Sequence, residues 1–217
     1  MARIVVAVAE DENAVLEILQ DEDAESPREW DNLGHMICWH SRYNLGDKHE
    51  YEDPKEFLKT LVFQFTDKEM SEIHKMDNND LLSIIREHAV ILPLYLYDHG
   101  GITMNTTGFS CLWDSGHVGW IYVTHDEIVK EYGSLEIEKA RSVLEAEVQA
   151  YDQYLRGNIY GFELKEKVKC ECCGHIEYEN IDSCYGFYGD LNELKEQLKS
   201  HLDKKYADLI DKLEWAS

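Results

Sequence analysis

The alternation of apolar and polar positions divides the chain into strand-like and helix-like stretches. Ile4 to Ala9 is a short β-rich run, and Ala14, Val15, Ile18 and Leu19 recur at helical spacing behind it. Met36 to His40 predicts a strand. Asp53 followed by Pro54 and an apolar-periodic segment predicts a helix with an N-cap and proline at its first position. Two short helices are expected over 67–75 and 79–88. Ala89 to Tyr97 is a buried-strand run whose Pro93 predicts an edge or a bulge. From Asp98 to Val123 the pattern is a strand, turn and strand meander, with Asp114-Ser-Gly as the turn. Thr124 with Glu127 three residues on predicts a capped helix that Gly133 ends.

A long helix follows, with Ile137, Ala140, Leu144, Val148, Tyr151 and Leu155 on one face and Gly157 as its stop. Asn158 to Lys169 predicts a strand, Cys170 to Gly174 a tight turn, and His175 to Tyr188 a return strand. Leu191, Leu194, Leu198, Leu202, Leu209 and Leu213 define a closing amphipathic helix. The pattern is that of an α+β fold, a largely antiparallel sheet with helices packed on it. No linker divides the 217 residues, so residues 1–217 are expected as one domain with a Cys-rich hairpin at 168–186.

Charge changes the picture most. There are 44 acidic and 21 basic residues, a formal net of -23. That imbalance repels nucleic acids and anionic membranes and attracts basic surfaces. Neither a signal-peptide run nor a stretch of about 20 apolar residues is present, so a soluble, unexported chain is expected. The acids concentrate at Glu10, Asp11, Glu12, Glu17, Asp21, Glu22, Asp23 and Glu25, and on the long helix at Glu136, Glu138, Glu145, Glu147 and Asp152. Displayed outward, they could imitate the phosphates of a duplex. The alternative is a solvating surface.

Two further groups carry candidate chemistry. Cys170, Cys172, Cys173 and His175 crowd one turn, and Cys170-x2-Cys173 before a glycine has zinc-knuckle spacing. Cys170, Cys173, His175 and Cys184 are the expected ligand set, against the alternative of reduced thiols in a reducing cytosol. His40, Asp98, His99, Asp114 and His117 collect at strand ends and turns, where they could form a metal-assisted hydrolase site or merely cap turns. The aromatics Trp30, Trp39, Trp113, Trp120, Tyr95, Tyr97 and Tyr122 are expected in the core rather than as a stacking platform. Phosphate-binding loops, dinucleotide fingerprints and serine-hydrolase elbows are absent from the sequence.

Several phrases carry a resemblance. They are Ser26-Pro-Arg-Glu-Trp-Asp-Asn-Leu-Gly, Cys38-Trp-His-Ser-Arg-Tyr-Asn-Leu-Gly-Asp, Leu92-Pro-Leu-Tyr-Leu-Tyr-Asp-His-Gly-Gly-Ile-Thr-Met, Trp113-Asp-Ser-Gly, Tyr151-Asp-Gln-Tyr-Leu and Asp182-Ser-Cys-Tyr-Gly-Phe-Tyr-Gly. Together they resemble an uncharacterised family encoded by bacteriophages and mobile elements of Gram-positive bacteria. The resemblance runs from about Ser26 to Gly189 and transfers no catalytic residue. It implies an accessory protein of a bacterial cytoplasm.

The leading expectation is therefore a non-enzymatic anti-defence inhibitor that blocks a basic host effector, such as a CRISPR effector or restriction enzyme, by nucleic-acid mimicry, without binding nucleic acid or membrane itself. A metal-assisted hydrolase and a zinc-stabilised interaction module are the alternatives.

Overall fold

A computed structural model describes residues 4–111 and 113–215. Leu112 of the expected meander lies outside them.

In chain order the elements are β1 (Val5–Glu10), β2 (Ala14–Gln20), a 3-10 turn (Pro27–Glu29), β3 (His35–Cys38), α1 (Pro54–Phe65), α2 (Met70–Ile73), α3 (Asn78–Arg86), β4 (Ala89–Asp98), β5 (Ile102–Asn105) and β6 (Ser115–Thr124). They continue with α4 (His125–Tyr132), α5 (Ile137–Leu155), β7 (Ile159–Lys169), β8 (Ile176–Tyr188), α6 (Leu191–His201), a second 3-10 turn (Lys204–Tyr206), α7 (Ala207–Asp211) and β9 (Glu214–Trp215). The fold is α+β, and every pairing is antiparallel. The strands form two sheets instead of one, and the chain clusters into two compact units, Met1–Ser26 with Gln153–Ser217, and Pro27–Asp152.

The first unit carries a five-stranded sheet in the order β8-β7-β2-β1-β9. Leu16 and Ile18 of β2 and Phe162 and Leu164 of β7 pack with Leu194, Leu198, Leu209 and Leu213 from the C-terminal segment. The stretch expected as a helix at Ala14 to Leu19 is the central strand β2. Leu16 and Ile18 are buried together with Val15 and Leu19 on the opposite face, so the period-2 alternation that would mark a strand is missing. The closing helix is two helices, because α6 ends at a C-cap on Leu202 in extended conformation.

The second unit has a four-stranded sheet in the order β3-β6-β4-β5. Phe57, Leu58, Leu61, Ile73, Leu81 and Ile85 of α1 to α3 pack with Ile91 and Trp120 of that sheet. Asp53 caps α1 by accepting from the N–H groups of Lys55 and Glu56, and Thr124 with Glu127 closes a capping box on α4. Ser115 and Gly116, expected in a turn, are the first residues of β6, and β5 and β6 both pair with β4 rather than with each other. Pro93 lies in the part of β4 that pairs on one side only, next to a register shift at Leu94/Tyr95.

A buried ion cluster locks this unit. The Arg28 guanidinium donates to both Asp47 oxygens at 2.8 and 3.0 Å, to Glu147 at 2.9 Å and to the Gly34 carbonyl at 2.6 Å. Glu147 also accepts from the Leu33 and Gly34 N–H groups, and Asp47 from the Met36 N–H. Arg28 and Glu147 expose only 5% and 10% of their side chains.

Candidate functional site

The cleft of the second unit begins with a β-bulge. Leu94 pairs with Gly119 and Tyr95 with His117, so Val118 is an extra residue in β6. In a regular strand His117 and Trp120 would face opposite ways. The extra residue brings their rings to one side, edge to face at 4.5 Å. Gly119 is required beside the bulge, since a Cβ there would lie 2.0 Å from the Ile37 carbonyl oxygen of β3. The Trp39 N–H then donates to the Val118 carbonyl at 2.8 Å, which directs the chain after β3 along the same rim.

The resulting open cleft has a volume of about 420 Å³ and is lined by Trp39, His40, Arg42, Asp98, Trp113, Asp114 and His117, among others. The expected cluster therefore converges. Four of its five members line one cleft, and His99 adjoins it with Nδ1 3.4 Å from the Asp114 carboxylate. Sequence reasoning missed Arg42, whose guanidinium pairs with Asp98.

Each group has a defined state. His40 Nδ1 accepts the N–H groups of Arg42 and Tyr43, both at 3.3 Å, so the neutral ring carries its proton on Nε2. The His40 ring also stacks on Tyr43 at 4.9 Å. His117 is partly covered by Trp120 and Tyr95, and this burial holds its pKa below the usual 6.5. It is an uncharged base at neutral pH. Asp98 is held by Arg42, and Asp114 accepts from the Cys111 thiol at 3.6 Å. Trp113, expected in the core, is 97% exposed at the cleft.

The expected zinc set is rearranged at the tip of the β7–β8 hairpin in the first unit. Among the described residues, one group of three His, Cys, Asp or Glu ligand atoms lies mutually within 4.8 Å: Cys170, Cys172 and Cys173. This cluster could bind a metal such as zinc. Cys170 and Cys172 sulfurs are 2.9 Å apart, and the Cys170 N–H and carbonyl close the turn with His175 and Gly174. Hydrogen bonds to its sulfur from Cys172, first, and from the N–H groups of Cys173 and Cys172 push the Cys170 thiol down to about 6. Cys172 takes the place expected for His175 and Cys184. Cys184 pairs opposite Phe162 and packs on the core, eight residues along β7 from Cys170, or about 26 Å at 3.3 Å per residue. All six cysteines are free. The cleft groups, by contrast, do not assemble a three-ligand metal site.

The acids expected as a recognition surface divide into two kinds. Glu12, Glu22, Asp23, Glu25, Glu136, Glu138 and Glu145 are exposed. Glu10 pairs with Lys167, Glu17 with Lys165 at 2.5 Å, and Asp11 accepts from Asn13 and Ala14 in its own turn, which lowers its pKa. Asp21 is half-buried. Glu147 belongs to the Arg28 cluster, and Asp152 accepts from the Thr103 hydroxyl at 2.5 Å and the Met104 N–H at 2.7 Å. Neither is an outward acid of α5. Because β2 is a strand of seven residues, Glu10 to Glu12 and Asp21 to Glu25 lie at its opposite ends, roughly 20 Å apart, rather than along one helix.

No helix among the described residues is long and apolar enough to cross a membrane. No protein-family model, curated protein or solved structure matches the chain.

Proposed function

We propose that the chain acts through the cleft of its second unit, binding a small planar polar molecule of nucleotide type and hydrolysing it by acid–base catalysis. What carries this reading is the convergence of His40, Arg42, Asp98, Asp114 and His117 in one cleft beside a solvent-exposed Trp113. Exposed tryptophan is a stacking surface for a base. In the cleft Arg42 neutralises Asp98, and the histidine rings supply hydrogen-bonding groups for a polar ligand. His117 takes a proton from water, the hydroxide attacks the scissile ester, and the His117 imidazolium so formed returns its proton to the departing oxygen, towards which the His40 Nε2–H donates a hydrogen bond.

The test is a panel of nucleotides and nucleotide diesters, followed by tryptophan fluorescence and product release. His117→Ala should keep the quenching and lose turnover by about 100-fold or more, while Trp113→Ala should lose the quenching. Identical fluorescence responses in wild type and Trp113→Ala, with no turnover from either, would sink the reading.

The anti-defence inhibitor of a CRISPR effector or restriction enzyme is a second proposal. It rests on the net charge of -23, the exposed acids and the phage-type phrases. It requires complexes that dissociate as salt rises and that persist in the His117→Ala variant. On either reading we propose zinc as the metal of the hairpin tip, supported by the three clustered sulfurs, and a bacterial cytoplasm as the working compartment, supported by the free thiols.

A further inference from the structure

Among the described residues, the hairpin tip gathers three sulfurs and no fourth ligand atom within 4.8 Å of all three. A closed structural zinc site needs four protein ligands, whereas a site with three keeps one position for a ligand from solution. The remaining candidates on the hairpin are Glu171, His175 and Cys184. No ligand atom of Glu171 or His175 belongs to the three-sulfur group. The His175 carbonyl closes the turn by accepting the Cys170 N–H at 2.8 Å. Cys184 is fixed opposite Phe162, far down the hairpin.

The turn itself suits thiolates. Gly174 adopts a φ of 71°, which closes the loop with its N–H on the Cys170 carbonyl, and the three sulfurs lie within 4.8 Å of one another. All residues from Glu171 to Ile181 are exposed, so an ion held here faces solvent.

We propose that Cys170, Cys172 and Cys173 bind one divalent zinc-type cation in an open three-thiolate site, whose fourth position holds water in the isolated protein and is free for a donor from outside the chain. Three metal–sulfur bonds form, and each sulfur that still carries a proton releases it to solvent, with no change of oxidation state. The bound unit carries a net charge of one minus. The inference rests on the proposal of a metal at this hairpin and is independent of the cleft.

The experiment uses the full reduced chain with zinc, and cadmium as a second probe. Expected are one ion per chain, protection of three of the six thiols from a thiol reagent, and an X-ray absorption spectrum with three sulfurs at about 2.3 Å and one lighter atom at about 2.0 Å. Cys170→Ser, Cys172→Ser and Cys173→Ser should each weaken binding by more than the roughly 10–100-fold lost with an outer-shell partner. His175→Ala and Cys184→Ser should leave affinity and the lighter-atom shell unchanged. Because the tip is exposed, the variants should unfold at the wild-type temperature in the absence of metal. Loss of the lighter atom in His175→Ala, or a fourth sulfur that disappears in Cys184→Ser, would overturn the open position while keeping a metal site. Absence of thiol protection by either ion would overturn the metal site as well.

Discussion

Glu145 and Glu147 sit two residues apart on α5, and replacement by alanine should cost much stability at Glu147 and almost none at Glu145. Glu147 holds the Arg28 guanidinium at 2.9 Å and accepts from the Leu33 and Gly34 N–H groups, with its side chain 10% exposed. Removing one member of a buried ion pair costs about 3–5 kcal/mol. Arg28 keeps Asp47 and the Gly34 carbonyl, which places Glu147→Ala near the lower end, about 3 kcal/mol. For a chain of this size that is a fall in Tm of about 6–12 °C. Glu145 is exposed, and its replacement should change Tm by no more than about 2 °C. Thermal unfolding followed by tryptophan fluorescence reads mainly the right unit, since four of the five tryptophans, Trp30, Trp39, Trp113 and Trp120, belong to it and Trp215 alone to the other. Glu147→Gln keeps an acceptor oxygen and should fall between the two. Equal melting of both alanine variants would refute the claim that Glu147 is a structural ion rather than an acid presented to a partner.

Burial pushes the Cys38 thiol up to about 12 from its ordinary 9. The unfolded chain therefore loses that proton first, and the stabilisation present below pH 9 should be lost between pH 9 and about 12, by roughly 4 kcal/mol in total; urea unfolding of Cys38→Ala across that window should show a flatter alkaline limb. For His117 the sign reverses: burial holds its folded pKa below 6.5, so stability is full above 6.5 and falls as pH drops through the folded value. An NMR titration giving a His117 midpoint at or above 6.5 would contradict this. Asp152→Ala should free β5 from two hydrogen bonds to a charged acceptor, costing on the order of 2–5 kcal/mol and removing the amide protection of Met104 in hydrogen exchange. Gly119→Ala should cost about 1–3 kcal/mol or more through the clash with the Ile37 carbonyl, and should disturb the His117–Trp120 ring contact seen in NOE spectra.

Local chemistry was legible where a few neighbouring residues decide it. The caps at Asp53 and Thr124 and the stop at Gly133, with φ 75°, depend on three or four consecutive positions. Strand β2 was not legible, because a central strand buried on both faces shows no alternation, and Ala14, Val15, Ile18 and Leu19 then satisfy a helical template equally well. The division of one expected sheet into two was likewise beyond local pattern, since pairing of β2 with β7 joins residues separated by more than a hundred positions.

The acids of α5 carried a signal that charge alone concealed. Glu147 is seven residues after Ala140 and three after Leu144, so it lies on the stripe that buries Ala140, Leu144, Val148 and Tyr151. Glu138 and Glu145 lie off it and are exposed. An acid on an apolar stripe requires a buried partner, and Arg28 is the partner for Glu147. The cleft has the same logic in reverse. His117 reached the face of Trp120 only through the extra residue at Val118, and bulges leave little trace in composition beyond a glycine such as Gly119. The same bulge that gives up one regular rung of the β4–β6 ladder thus supplies the orientation on which the acid–base reading depends, so a variant with Val118 deleted should restore regular pairing and turn His117 away from the cleft.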